Sequence, residues 1–144
     1  MYQRILFPTD GSVISSKALQ QALDLAKLAG AELLVLSVKE PYPYSALSEV
    51  QPVAPQAYFD ATERLAAAHV TAALAAAAAA GVKASGATVE AVHAWEAILD
   101  HAKETACDLV VMASHGRRGI SALLLGSETQ KVLTHSTIPV LVVR

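Results

Sequence analysis

Leu109-Val110-Val111-Met112-Ala113-Ser114-His115-Gly116-Arg117-Arg118-Gly119 passes from apolar to basic within a few residues, and Ile120 to Leu125 leads on to Gly126-Ser127-Glu128-Thr129-Gln130. The Leu-Val-Val-Met run has no polar side. It predicts a strand buried on both faces, as in a parallel sheet. Two glycines and two arginines then predict a basic loop. The loop closes on a helix start. Ser127 is the expected N-cap, and Gln130, three residues on, is spaced to complete a capping box. Gly126, just before it, has no capping purpose on this reading. A strand, a basic loop and a helix N-terminus together make an anion site, because backbone N–H groups point outward there and the helix dipole favours negative charge. The phosphates of a nucleotide are the expected occupant.

Outward from this stretch, strand-like and helix-like segments alternate. Arg4 to Thr9 is a first strand, with Pro8 at its end, where a missing N–H costs little. Asp10-Gly11-Ser12 is turn and cap chemistry. Ala18, Leu19, Ala22, Leu23, Ala26 and Ala29 recur at threes and fours, which predicts a helix from Ser15 to Ala29 ended by Gly30. Leu33 to Val38 is a second buried strand. Lys39 to Pro55 holds four of the six prolines and is expected to be a long loop. Gln56 to Ala80 reads as an alanine-rich helix closed by Gly81. Val82 to Val92 is a third strand with a less buried face, and Ala94 to Ala106 a helix. Cys107 to Ala113 is the fourth strand, Ser127 to Ser136 a short helix, and Ile138 to Val143 a fifth strand. This alternation implies an α/β fold: an open, doubly wound, five-stranded parallel sheet with helices on both faces. Ligands of such sheets bind outside the carboxyl ends of the strands. The loops Thr9–Ser12, Val38–Pro41 and Ala113–Ser127 are therefore expected to converge on one crevice.

The 144 residues are expected to form a single domain, 1–144. Eleven Lys and Arg against thirteen Asp and Glu leave no basic excess for nucleic acid and no polybasic run for an anionic membrane surface. The longest alanine-rich apolar tract, Ala72 to Ala80, is too short and too weakly apolar to span a bilayer. One cysteine, Cys107, excludes an internal disulfide. A cytoplasmic protein is the expectation. Cys107 reads as core rather than reactive thiol. His69, His93, His101 and His135 show no metal-ligand spacing. His115 lacks a Ser, Cys or paired carboxylate at a helpful distance, so no catalytic residue is assigned. Trp95 is given no role beyond covering the sheet end.

The chain resembles the universal stress proteins along almost its whole length. The resemblance is carried by Ile5-Leu6-Phe7-Pro8-Thr9-Asp10-Gly11-Ser12, Leu33 to Val38, Asp108 to Gly116, Leu124-Leu125-Gly126-Ser127 and Ile138 to Val143. Members that bind ATP carry Gly, two residues, Gly, nine residues, then Gly followed by Ser or Thr. Gly116, the nine residues after it and Gly126-Ser127 match, while Ala113 stands in the first position. Alanine fits there if φ is negative and is strained if φ is positive. Glu128 is a second departure. Its carboxylate repels phosphate unless a divalent cation bridges the two or the side chain points away.

The resemblance implies a Rossmann-like sheet of the adenine nucleotide α-hydrolase-like kind that binds ATP, with Mg²⁺ as an allowed companion. It implies Asp10 on the ribose hydroxyls, with Pro8 and Thr9 beside it. Val38 would meet the adenine edge, and Met112 and Ala113 would floor the base and ribose. Gly116, Arg117, Gly126, Ser127 and Thr129 would surround the phosphates. A homodimer through the last strand is also implied, and the bare apolar run Val140 to Val143 agrees, since an edge strand of that kind needs covering. Plainer readings stand beside these: Ser127 as a cap only, Asp10 as an Asx turn only, and Gly116 and Gly119 as turn glycines. Two other functions compete with a regulatory ATP binder. One is a dimeric scaffold without nucleotide. The other, ranked last, is an ATP-splitting enzyme, because no Ser-Gly-Gly loop follows the first strand and no Gly-Lys-Ser/Thr occurs.

Overall fold

A computed structural model describes residues 1–42, 55–116 and 124–144. The expectations placed on Pro43 to Ala54 and on Arg117, Arg118 and Gly119 lie outside the described residues. Elements follow in the order β1 (Arg4–Pro8), α1 (Val13–Ala29), β2 (Glu32–Lys39), α2 (Gln56–Ala79), β3 (Ala84–Glu90), α3 (Ala94–Glu104), β4 (Leu109–Ala113), α4 (Ser127–His135) and β5 (Val140–Val143). The expected strands and helices are present. β4 and β5 start two residues later than expected, and β3 is two residues shorter at each end. The strands form one five-stranded parallel sheet in the order β3-β2-β1-β4-β5.

Strand β1 sits in the middle and explains why Ile5, Leu6 and Phe7 are all buried: the sheet is covered on both faces. Ile5 and Phe7 join Leu33, Val35 and Val111 under α1 and α2. Leu6, Leu34, Leu36, Val110 and Met112 point the other way, under Ile98 and Ala102 of α3 and Val132 of α4. A polar contact sets how β1 lies against β4. The Asp108 carboxylate accepts the N–H groups of Gln3 (2.8 Å) and Arg4 (3.1 Å) at the opposite end from the crevice. Cys107 belongs to the second core cluster. Burial pushes its thiol pKa up, against a smaller opposite effect of the Thr105 hydrogen bond, so it stays protonated and apolar in character.

Capping agrees with the sequence at one helix and departs from it at another. Ser12 caps α1, its hydroxyl accepting the Ser15 N–H at 3.2 Å, and Gly30 ends that helix at φ 67°. The capping box expected at Ser127 and Gln130 does not form. Gly126 is itself the N-cap of α4, at φ −62°, and makes no side-chain cap bond. Gln130 instead donates to the Leu125 carbonyl at 3.0 Å. The Gly126 N–H is held by the Ser114 carbonyl at 2.8 Å, which starts the helix one residue earlier than the cap chemistry suggested.

Candidate functional site

The strand order reverses between β1 and β4: β2 and β3 build outward on one side, β5 on the other. Loops leaving β1 and β4 must part there, and a crevice opens at the carboxyl ends. A cleft of about 640 Å³ occupies this place, within the ~300–1,000 Å³ usual for small-molecule sites. Ten of the eleven residues named from the sequence line it: Pro8, Thr9, Asp10, Val38, Met112, Ala113, Gly116, Gly126, Ser127 and Thr129. The eleventh, Arg117, lies outside the described residues.

The β1 end forms a tight hydrogen-bonded turn. Thr9 N–H donates to the Leu36 carbonyl (2.8 Å), and its hydroxyl pairs with that of buried Ser15 (2.9 Å). Asp10 Oδ1 accepts the Ser12 N–H at 2.9 Å, so the Asx-turn reading holds for one oxygen. Oδ2 lies beside Gly116, where a methyl group would come within 2.6 Å of it. A side chain at Gly116 would therefore have to displace the Asp10 carboxylate.

Val38 is placed by period-two geometry. The Leu36 carbonyl points toward β1 and bonds Thr9, and β1 pairs no further than Pro8 with Leu36. Val38, two residues on, turns its own N–H and C=O the same way, past the last residue of β1. Those groups edge the cleft as a donor–acceptor pair.

At the β4 end, Ala113 is in ordinary extended geometry. Among the described non-glycine residues, positive φ is confined to Ala106, at 53°. The alanine in place of glycine is thus unstrained, and its methyl packs against the core cluster under α1 and α2. The Thr129 hydroxyl is spent on the Ala113 carbonyl at 3.1 Å and is buried. Any contact from Thr129 to an anion would come from its backbone. Ser114 Oγ pairs with His115 Nδ1 at 3.1 Å, so a serine does lie within reach of this histidine, contrary to the expectation from sequence. Gly126 packs on this turn so closely that a methyl there would lie 3.1 Å from both Cα and Cβ of His115. The first amides of α4 have no intrahelical acceptor, as in any helix, and the N-cap residue Gly126 has no side chain to serve them.

Glu128 lines the cleft but has a structural task. Its Oε2 accepts the Trp95 N–H at 2.8 Å, in the first turn of α3. The residue before that helix, His93, makes no side-chain cap bond, so Glu128 caps α3 from across the interface. Trp95 is stacked on His135 of α4, with ring centroids 4.5 Å apart, completing the same α3–α4 joint. Glu128→Ala is expected to cost about 1 kcal/mol of stability, the weight of a lost helix cap. It should also tighten, not weaken, binding of a phosphate-bearing ligand by removing a like charge. Paired urea melts and calorimetric titrations check both signs.

Helix α2 supplies a wall of which the sequence offered only Tyr58, as one of several tyrosines that could stack on adenine. Tyr58, Thr62, Leu65, Ala66 and His69 all line the cleft. Their spacing is that of one helical face, but the surrounding alanines hide it, because alanine contrasts with neither face. The Tyr58 hydroxyl donates to the Glu40 carbonyl at 3.1 Å. Lys39 pairs with Glu63 and so lowers the Glu63 pKa. Both contacts tie the end of β2 to α2. Among the described residues, no group of three or more His, Cys, Asp or Glu could hold a metal ion. Also among the described residues, no helix is long and apolar enough to cross a membrane.

Comparison with known proteins gives the following. The universal stress protein family matches residues 1–144. Universal stress protein YxiE of Bacillus subtilis is 36% identical, with all of both chains covered. The structure of MJ0577, a universal stress protein of Methanocaldococcus jannaschii, superposes with a TM-score of 0.82 at 28% identity, covering 99% of this chain and 96% of that one. A universal stress protein solved in complex with cAMP superposes with a TM-score of 0.73 at 27% identity, covering 99% and 97%.

Proposed function

The chain belongs to the universal stress protein family, and from that premise we propose that it binds an adenine nucleotide, ATP in the first instance, in the cleft between β1 and β4. Ten residues read from the sequence line a single cavity of suitable size, and this observation carries the reading. The solved relative in complex with cAMP supports an adenine nucleotide as the class of ligand. In this reading the Val38 backbone pair meets the adenine edge, and Asp10, beside Pro8 and Thr9, takes the ribose. Met112 and Ala113 form the floor. Gly116, Arg117, Gly126, Ser127 and the Thr129 backbone surround the phosphates, where a helix tip favours negative charge. Mg²⁺ would accompany the phosphates. The domain, residues 1–144, acts as a cytoplasmic regulatory stress-response protein rather than as an enzyme. It does so as a homodimer through β5, the sheet-edge strand whose Leu141 is 41% exposed.

Melting with and without ATP and Mg²⁺ tests the ligand. At about a hundredfold over Kd the nucleotide should add roughly 2.7 kcal/mol of stability. An unmoved melt, with no nucleotide carried through purification, would favour the dimeric scaffold that binds none. Sedimentation equilibrium on Leu141→Lys tests the dimer in the same preparation: a charge on a covered strand should leave monomers.

A further inference from the structure

We propose that His69 is a second ribose-reading residue of this cleft, reaching Asp10's side from α2 and setting a preference for ribo- over 2′-deoxyribonucleotides. The inference rests on the adenine-nucleotide reading above and adds a specificity determinant to it.

The imidazole lies against the Gly11 backbone. A methyl at Gly11 would fall 2.3 Å from His69 Nε2 and 2.4 Å from Cδ2. Gly11 is favoured by its φ of +75°, and a side chain there would push the ring aside. Its chain neighbour is Asp10, whose other flank is Gly116. Asp10 and His69 both line the cleft, and the imidazole stands against the residue that follows Asp10 in the chain. A sugar whose hydroxyls reach Asp10 enters the part of the cleft that His69 also lines.

The chemistry suits that edge. A carboxylate only accepts hydrogen bonds, whereas vicinal hydroxyls both donate and accept. An imidazole supplies what the carboxylate lacks. Its neighbours in the same turn of α2, Leu65, Ala66 and Val70, are apolar, and Val70 and Ala66 are buried. His69 is the polar atom set that this part of the wall offers. Packing on Gly11 also limits the ring's freedom, so less entropy is lost when a ligand binds.

Calorimetric titration of AMP and 2′-deoxy-AMP into the wild type, His69→Ala and His69→Gln tests this. The wild type should favour AMP by about tenfold, the weight of a hydrogen-bonding site left unpaired by the missing hydroxyl. His69→Ala should bring the two ligands within about twofold, while His69→Gln, which keeps a donor and an acceptor, should retain part of the preference. Should His69→Ala not fold, His69→Leu keeps the packing on Gly11 and removes the polar atoms. A wild type that ignores the 2′-hydroxyl, or an apolar variant that keeps the full preference, overturns the role of His69. Absence of binding by either nucleotide to the wild type instead overturns the nucleotide reading beneath it.

Discussion

Gly126→Val is expected to weaken ATP binding by about a hundredfold, as loss of one or two hydrogen bonds to charged oxygens would do at ~1.5–3 kcal/mol each. The reason is local. The Gly126 N–H is bonded to the Ser114 carbonyl at 2.8 Å, and its Cα faces the His115 backbone. A Cβ would already sit 3.1 Å from His115 Cα, and valine adds two methyls to that contact. Neither partner is the far end of a flexible side chain, so the α4 tip and the β4 loop must separate. The first amides of α4 then no longer aim at the place the phosphates occupy. Overpacking of this kind also costs about 1–3 kcal/mol of stability, so titration is done well below the melting range. Gly126→Ala, at a backbone φ of −62° that alanine adopts freely, should show a smaller loss in the same direction. Undiminished affinity in the valine variant would place the phosphates elsewhere.

Phe7→Ala is expected to cost about 3–5 kcal/mol, the range for emptying a phenylalanine site in a packed core. Phe7 is fully buried on the central strand, opposite Val35, beneath α1 and α2. Covalent neighbours in the sheet and two helices hold the space open, so little collapse can fill it. Against a usual total of ~5–15 kcal/mol, such a loss takes a large part of the stability. Urea unfolding should show a lower midpoint with an unchanged slope. A loss under about 1 kcal/mol would mean that the layer around Phe7 is looser than the burial indicates.

The α/β class was legible because it depends on local signals, whereas the ten described residues that line the cleft were named through the family resemblance. Continuous apolar runs mark strands covered twice, and glycines with Asp or Ser mark the loops between them. Period-two geometry even fixes which way Val38 presents its backbone once its neighbour ends. The loop carrying Arg117 and most of the proline-rich segment lie outside the described residues, and the roles read there rest on the resemblance alone.

Other features depended on what comes close in space. Glu128 read as a charge opposed to phosphate. Its bond to Trp95 appears only when α3 and α4 lie side by side. Ser127 had the right chemistry for a cap, but the Ser114 carbonyl captured the preceding amide and made Gly126 the cap. Ala113 posed a question about φ that only the strand could answer. His69 stands in an alanine-rich helix, more than fifty residues from Gly11, and its spacing carries no hint of that partner. From sequence alone came the order of elements, the buried strands and the loops that gather at one end, since each follows from the character of adjacent residues. The tertiary structure alone decided which side chains fill, cap or border the cleft, because those contacts join segments whose separation along the chain says nothing about their distance.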